Sequence, residues 1–331
     1  MLGLIKIFSF LMMMSFGSSA LARPAEVYFH MVWRAQTVPQ MLDLLSLLKE
    51  ENFTGITIAL TKSSCLNFYA WDCRSSVHTE ADLLQILTAA EKIGIKTELE
   101  IKLINKQKKS FDHLSHLLLN SETLDPTLIQ TQHIYQNLIE YVNKKLKITH
   151  MIVGFDEIHG IRDHEKTKIH SVVGARILSS EEYLMAINYI NNYAIKNGIS
   201  ISIYGDMLFS KRETECADGP SFHGELLEDY GEKLRKRVPK NIEIINYFYF
   251  VSKNFCSLDI LNVEFEKFAV GIWRPNQVQR RVINFIKNSS IKNFKLYLFN
   301  FTDYPHNPRN REDIRSYLNK RIILLKANGI I

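Results

Sequence analysis

The sequence predicts an α/β protein folded as a single (β/α)8 barrel, a TIM barrel, and three observations carry that reading. Eight β-rich runs of strand length recur along the 331 residues. Segments of helical period lie between them. The strand runs are nearly continuous in apolar character, as parallel strands covered on both faces tend to be. An open doubly wound sheet uses the same units and is the alternative. No glycine-rich phosphate loop of the GxGxxG or GxxxxGKS kind follows the first strand, so nucleotide binding has no local support.

In chain order, the predicted strands are EVYFHMVW (26–33), FTGITIAL (53–60), KTELEIKLI (96–104), HMIVGFD (150–156), ISISIYGD (199–206), IEIINYFYF (242–250), FAVGIW (268–273) and FKLYLFNF (294–301). Amphipathic stretches separate them, among them PQMLDLLSLLKEE, TEADLLQILTAAEKIG, SSEEYLMAINYINNYAIKNG, PNQVQRRVINFIKNS and NREDIRSYLNKRIILLKANG. Several carry end signals. Thr79 with Asp82, and Ser179 or Ser180 with a following glutamate, suit N-caps; Pro39 and Pro275 suit first turns; Gly94 and Gly198 stand where helices terminate. Neither an internal repeat nor a low-complexity linker divides the chain.

Residues 1–22, MLGLIKIFSFLMMMSFGSSALA, contain one lysine, an apolar run and small residues ending in Ala20-Leu21-Ala22, the pattern of a secretory signal peptide cleaved after Ala22. An N-terminal anchor is the alternative, but the run is shorter than the roughly 20 residues a span needs. The expected mature chain is a single barrel domain, 23–331, secreted or periplasmic, with no stable membrane insertion. Losing residues 1–22 removes Lys6 and no acid, which leaves 40 basic and 35 acidic residues, a formal +5. That excess is small and its basic residues are scattered, so no nucleic-acid partner is expected. The four cysteines, Cys65, Cys73, Cys216 and Cys256, all fall in the exported part. Their positions between strands suggest Cys65–Cys73 and Cys216–Cys256 bridges; a zinc site has no supporting CxxC or tight Cys/His spacing.

The C-terminal ends of barrel strands converge on one pocket, and two longer connections, 61–78 and 207 to about 221, follow strands on that side. Asp156 and Glu157 close the fourth strand. Like charge and desolvation oppose ionising both, which suits one to act as a proton donor and the other to stabilise a positive centre. Adjacent residues point differently, so the pair does not fit two carboxylates flanking a glycosidic bond. It fits substrate-assisted cleavage better, in which the substrate's acetamido oxygen attacks. Around the pair, Trp33 and Trp273 are candidates to stack on a sugar ring and Tyr247 to donate to an acetamido oxygen, with packing as the alternative for each. Asp206, Asn300 and Asp303 would bind sugar hydroxyls or pair with a cation. His159 would line the cleft or tune the acid. With Asp163, His164 and His170 it invites a metal-dependent hydrolase as an alternative, although the spacing matches no compact ligand motif.

The fourth strand with its Asp-Glu pair, followed by GISISIYGDML (198–208), resembles the catalytic domain of family 20 glycoside hydrolases, the β-N-acetylhexosaminidases, especially shorter bacterial and hexosaminidase D-like members. The resemblance is clearest from about 148 to 210. It implies that Glu157 protonates the glycosidic oxygen, that Asp156 orients the acetamido group, and that the substrate is a glycan or amino sugar cleaved without a cofactor. The family's His-x-Gly-Gly-Asp-Glu corresponds here to Ile152, Val153, Gly154, Phe155, Asp156 and Glu157, so the histidine and one glycine are replaced. The arginine of the family's first strand is absent, with Arg34 a few residues late. A barrel that binds glycans without cleaving them is the remaining alternative.

Overall fold

A computed structural model of the chain describes residues 24–61, 66, 77–104, 112–120, 123–158, 176–209, 213, 230–248, 255–273, 277–289, 291, 293–300 and 310–331. Eight parallel strands close into a barrel in sequential order: β1 (Glu26–Val32), β2 (Gly55–Ala59), β3 (Lys96–Glu100), β4 (His150–Ile152), β5 (Ser200–Tyr204), β6 (Glu243–Phe248), β7 (Phe268–Ile272) and β8 (Lys295–Asn300). β8 returns to β1, pairing Tyr297 with Tyr28 and Asn300 with Met31. The order excludes the open sheet, because a closed ring has no switch in strand order. A strand is present at each of the eight predicted places.

The helices follow their strands: α1 (Val38–Glu50), α2 (Glu80–Lys92), α3 (Ile129–Lys144), α4 (Ser180–Lys196), a single turn α5 (Glu232–Arg235), α6 (Cys256–Glu264), α7 (Gln277–Asn288) and α8 (Arg311–Ala327). The expected caps form. Thr79 and Ser179 each accept a backbone N–H three residues on, from Asp82 and Glu182, whose carboxylates reach back to the cap amides. Pro39 sits in the first turn of α1, while Pro275 lies outside the described residues. Gly94 and Gly198 end α2 and α4 at a φ of +71°, where a side chain would be strained. No helix among the described residues is long and apolar enough to cross a membrane, and residues 1–22 lie outside that set.

Each strand has two faces with different chemistry. Outward residues such as Phe29, Met31, Ile56, Ile58, Leu99, Ile201, Ile203, Ile244, Val270 and Leu296 join the helices in one large apolar core. The inward face departs from the expected continuous apolar strand. Tyr28, Ile152, Tyr204, Ile245, Tyr247, Ala269, Tyr297 and Phe299 form a smaller cluster inside the ring, and ionisable groups fill the space around it. Hydrogen bonds between non-neighbouring strands establish this. The Tyr297 hydroxyl on β8 contacts Glu98 on β3 at 2.8 Å and Glu243 on β6 at 3.1 Å. The Tyr204 hydroxyl on β5 donates to Glu100 on β3 at 3.0 Å. Gly271 makes room for the inward ring of Phe299, since a Cβ there would lie 1.9 Å from it.

Near the N-terminal end, Lys295 sits between Glu98 at 2.9 Å and Glu243 at 3.3 Å, and Ser202 donates to Glu243 at 2.7 Å. Burial alone would push the Glu243 carboxyl up, but His150, Lys295 and the Ser202 hydroxyl outweigh it and hold the group below its ordinary 4.5. Nearer the mouth, burial likewise opposes the charge on Glu100, yet His30 and Lys102 prevail and keep that carboxyl low. Burial lowers the Lys295 ammonium, and Glu243 and Glu98 more than reverse this.

Two outcomes follow for stability. Both glutamates have folded values below their unfolded ones, so their contribution is complete above about 4.5 and disappears as pH falls through the folded values. The melting temperature should fall on acidification below pH 4.5, and more shallowly in Glu243→Gln. Lys295→Met leaves buried carboxylates without their cation and should cost about 3–5 kcal/mol in urea denaturation at neutral pH.

Candidate active site

The mouth of the barrel is organised by the chain after β4. Sheet pairing continues briefly, with Val153 N–H donating to Ser202 O at 3.0 Å and Leu103 N–H to Val153 O at 3.1 Å. The backbone then turns left-handed: φ is +83° at Gly154, +72° at Phe155 and +49° at Glu157. Non-glycine residues adopt this region reluctantly, so tertiary contacts must hold them there. They do. Phe155 is fully buried in the outer core, edge-on to Tyr183 at 5.2 Å, and its carbonyl accepts the Tyr183 hydroxyl at 3.2 Å. Burial, with Asp206 and Asp156 nearby, pushes the Tyr183 phenol well up, so it remains a donor. Ile158 is buried as well. With Phe155 and Ile158 fixed in the core, the two acids lie between these anchors just past the C-terminal end of β4.

Asp156 is 5% exposed, and Lys102 Nζ at the end of β3 contacts both its oxygens, at 2.9 and 2.6 Å. Lys102 Nζ also lies 3.7 Å from Glu100 Oε1 and over the Tyr204 ring at 5.4 Å. Glu100 is bonded in turn to His30 Nε2 and the Tyr204 hydroxyl. A chain of polar contacts thus runs from His30 on β1 through Glu100 and Lys102 to Asp156. Beyond its acidic neighbour, Asp156 shares its site with a lysine ammonium. Glu157 is half-buried, and its backbone N–H donates to Asp206 Oδ2 at 2.8 Å.

Asp206, 1% exposed, begins a single 3-10 turn, Asp206–Leu208. Expected to meet a sugar hydroxyl or an arginine, it spends one oxygen on the Glu157 amide and so ties the end of β5 to the acid. Tyr247 is buried in the inner cluster, edge-on to Tyr204 at 5.5 Å, and Trp273 packs on the same cluster while partly exposed. These two rings belong to the mouth. Trp33 does not. It is wholly buried, stacked on His78 at 4.1 Å, with its indole N–H on Gln36 O at 2.9 Å, so the sugar-stacking expectation is corrected to packing. Burial lowers the His78 imidazole below its ordinary value. Asn300 is corrected too: it is the outward residue after Phe299 and accepts the Tyr317 hydroxyl of α8 at 2.5 Å. Arg34 is exposed beyond β1.

His159, Asp163, His164, His170 and Asp303 lie outside the described residues, as do Cys65, Cys73 and Cys216. Cys256, at the start of α6, is not a free thiol. No group of metal-ligating side chains occurs among the described residues.

Sequence reasoning missed Lys102, Glu100, His30 and Tyr204. A signal was present. KTELEIKLI alternates Lys96, Glu98, Glu100 and Lys102 with Thr97, Leu99, Ile101 and Leu103, a period of two that directs four charges to one face. Arg321 of α8 was also missed; its guanidinium donates to the carbonyls of Trp273 and Phe299 and clamps the ends of β7 and β8.

No protein-family model matches the chain, and no curated protein sequence matches it significantly. Solved structures do match in fold. The tandem family 20 catalytic modules of the pneumococcal exo-β-D-N-acetylglucosaminidase StrH superpose with a TM-score of 0.60 at 11% identity, covering 91% of this chain and 82% of that one. The β-N-acetylhexosaminidase of Bacteroides fragilis gives 0.58 at 12% identity, over 93% and 72%. The family 20 exo-β-N-acetylglucosaminidase of Vibrio harveyi, in complex with N-acetylglucosamine, gives 0.56 at 13%, over 93% of this chain and 59% of its own. The barrel is therefore like those of family 20 glycoside hydrolases; at such identities the likeness is one of fold.

The two tryptophans should separate experimentally. Trp33→Ala should lower the unfolding free energy by about 3–5 kcal/mol. Trp273→Ala should lower it less, because its ring already meets solvent; chemical denaturation of both variants checks the contrast.

Proposed function

We propose that this protein is a glycoside hydrolase that removes terminal N-acetylhexosamine by substrate-assisted, retaining hydrolysis. The observation that carries the reading is the unlike placement of two adjacent acids at the mouth of a barrel similar to family 20 catalytic domains. Asp156 is buried in contact with the Lys102 ammonium, whereas Glu157 is half-exposed and its backbone N–H is bonded to Asp206.

In this mechanism the glycosidic oxygen takes a proton from the Glu157 carboxyl as the bond to the anomeric carbon breaks. The acetamido oxygen attacks that carbon from the other face, giving a cyclic oxazoline-type intermediate. Asp156 accepts the acetamido N–H, which orients the group and stabilises the positive charge that develops on it. Water then attacks the anomeric carbon and loses its proton to Glu157, which restores the acid and retains configuration. Trp273 supplies an aromatic face for the sugar ring, and Tyr247 would donate its hydroxyl to the acetamido oxygen. No cofactor takes part.

Residues 1–22 are an export signal in this reading, and Cys65–Cys73 and Cys216–Cys256 bridges would stiffen the connections at the mouth. N-terminal sequencing of the exported chain should begin at Arg23.

Purified mature protein should release the aglycone from a chromogenic N-acetylglucosaminide. Glu157→Gln should abolish release while leaving sugar binding intact. Asp156→Asn should lower turnover on the N-acetylated substrate. A wild-type protein that binds chitobiose but never cleaves it would be a glycan-binding barrel instead. Activity lost in EDTA and restored by a divalent ion would indicate metal-dependent hydrolysis.

A further inference from the structure

The Asp-Glu pair of the fourth strand leaves one strongly placed group at the mouth without a role, the ammonium of Lys102. It contacts both oxygens of Asp156, at 2.9 and 2.6 Å, and lies 3.7 Å from Glu100, itself held by His30 and by the Tyr204 hydroxyl at 3.0 Å. Its stem passes close to the turn, because a Cβ on Gly154 would come within 3.3 Å of Lys102 Cγ. The lysine side chain is 24% exposed, so this is a contact at the floor of the mouth and not a surface ion pair.

We propose that Lys102 is a positioning residue that sets the direction in which Asp156 presents its carboxylate, and thereby makes recognition of a sugar depend on its 2-acetamido group. The proposal rests on the assignment of Asp156 made above. A carboxylate has about four acceptor directions, two on each oxygen. Lys102 takes one on each, which fixes the plane of the group, so an amide N–H must approach along a direction the lysine does not occupy. Asp156 and Glu100 are also two buried acids with one ammonium between them. Without it their repulsion would turn Asp156 away from Glu100, which His30 and Tyr204 restrain. Lysine is a compact point charge on a flexible stem, so arginine would supply the charge with a different, forked geometry.

The experiment uses the mature chain and compares wild type with Lys102→Met, Lys102→Arg, Asp156→Asn and Lys102→Met/Asp156→Asn. A Lys102→Met/Glu100→Gln variant removes the excess buried charge should Lys102→Met fail to fold, as judged by circular dichroism. Two readouts are taken: kinetics on the chromogenic N-acetylglucosaminide, and calorimetric binding of N-acetylglucosamine against glucose. Loss of Lys102 should lower kcat on the order of 100-fold with a smaller change in KM, as expected when a reacting group is misplaced by about 1 Å. Lys102→Arg should recover part of the loss, and Lys102→Met should add nothing to Asp156→Asn, because both act through one carboxylate.

Losses that multiply in the double variant would overturn the proposal. If the wild type cleaves nothing, the glycosidase reading fails and binding decides. A preference for N-acetylglucosamine over glucose that vanishes without Lys102 sustains the positioning role. A preference that survives its loss, or no preference in the wild type, overturns it.

Discussion

The barrel closes around charges that must neutralise one another. A ring of eight strands turns every second side chain inward, and here those positions hold Glu98, Glu100, Glu243, His30, His150 and Lys295 together with tyrosines. Buried carboxylates of this kind are tolerable only when each has a cation or hydroxyl in reach. Lys295 between Glu98 and Glu243, and His30 beside Glu100, meet that requirement across strands that are not neighbours. The interior therefore fixes register as well as filling space, since a one-residue slip would turn these groups into the apolar layer beneath the helices.

The same ionic interior extends to the functional end. Glu100 belongs both to the buried network and to the mouth, because Lys102 links it to Asp156. The site is thus continuous with the packing of the barrel, and Asp156 is linked through Lys102 and Glu100 of the neighbouring strand segment to His30, three strands away on β1. The left-handed turn at 154–157 is the other half of the arrangement. A glycine would adopt φ = +72° freely, but this chain places Phe155 there and holds it by burying the ring and bonding its carbonyl to Tyr183. Phe155 replaces the conformational freedom of a glycine with an anchor in the core.

Much was legible in the sequence because local rules agreed with the global fold. Eight β-rich runs, helix caps at Thr79 and Ser179, and helix-ending glycines at Gly94 and Gly198 depend on propensity and on hydrogen bonds within a few residues. Asp156 and Glu157 stood out for the same reason: carboxylates after an apolar strand need a special environment. The partners of these acids were not legible. Lys102 is 54 residues from Asp156, and Asp206 is 49 from Glu157, so only the pairing of β4 with β3 and β5 brings them together.

By itself, then, the chain determined its strand and helix order, its barrel class and the position of its acidic pair, all consequences of periodicity and local bonding. Tertiary structure decided which candidates face the mouth. Trp33 and Trp273 both follow strands, yet only Trp273 falls on the inward side; Trp33 was drawn beneath His78 and Gln36. Asn300 and Phe299 are neighbours, yet strand alternation sends one to α8 and the other into the ring. The physical reason is that a strand's inside and outside are defined only once the sheet has curved and closed, and no single segment holds that information.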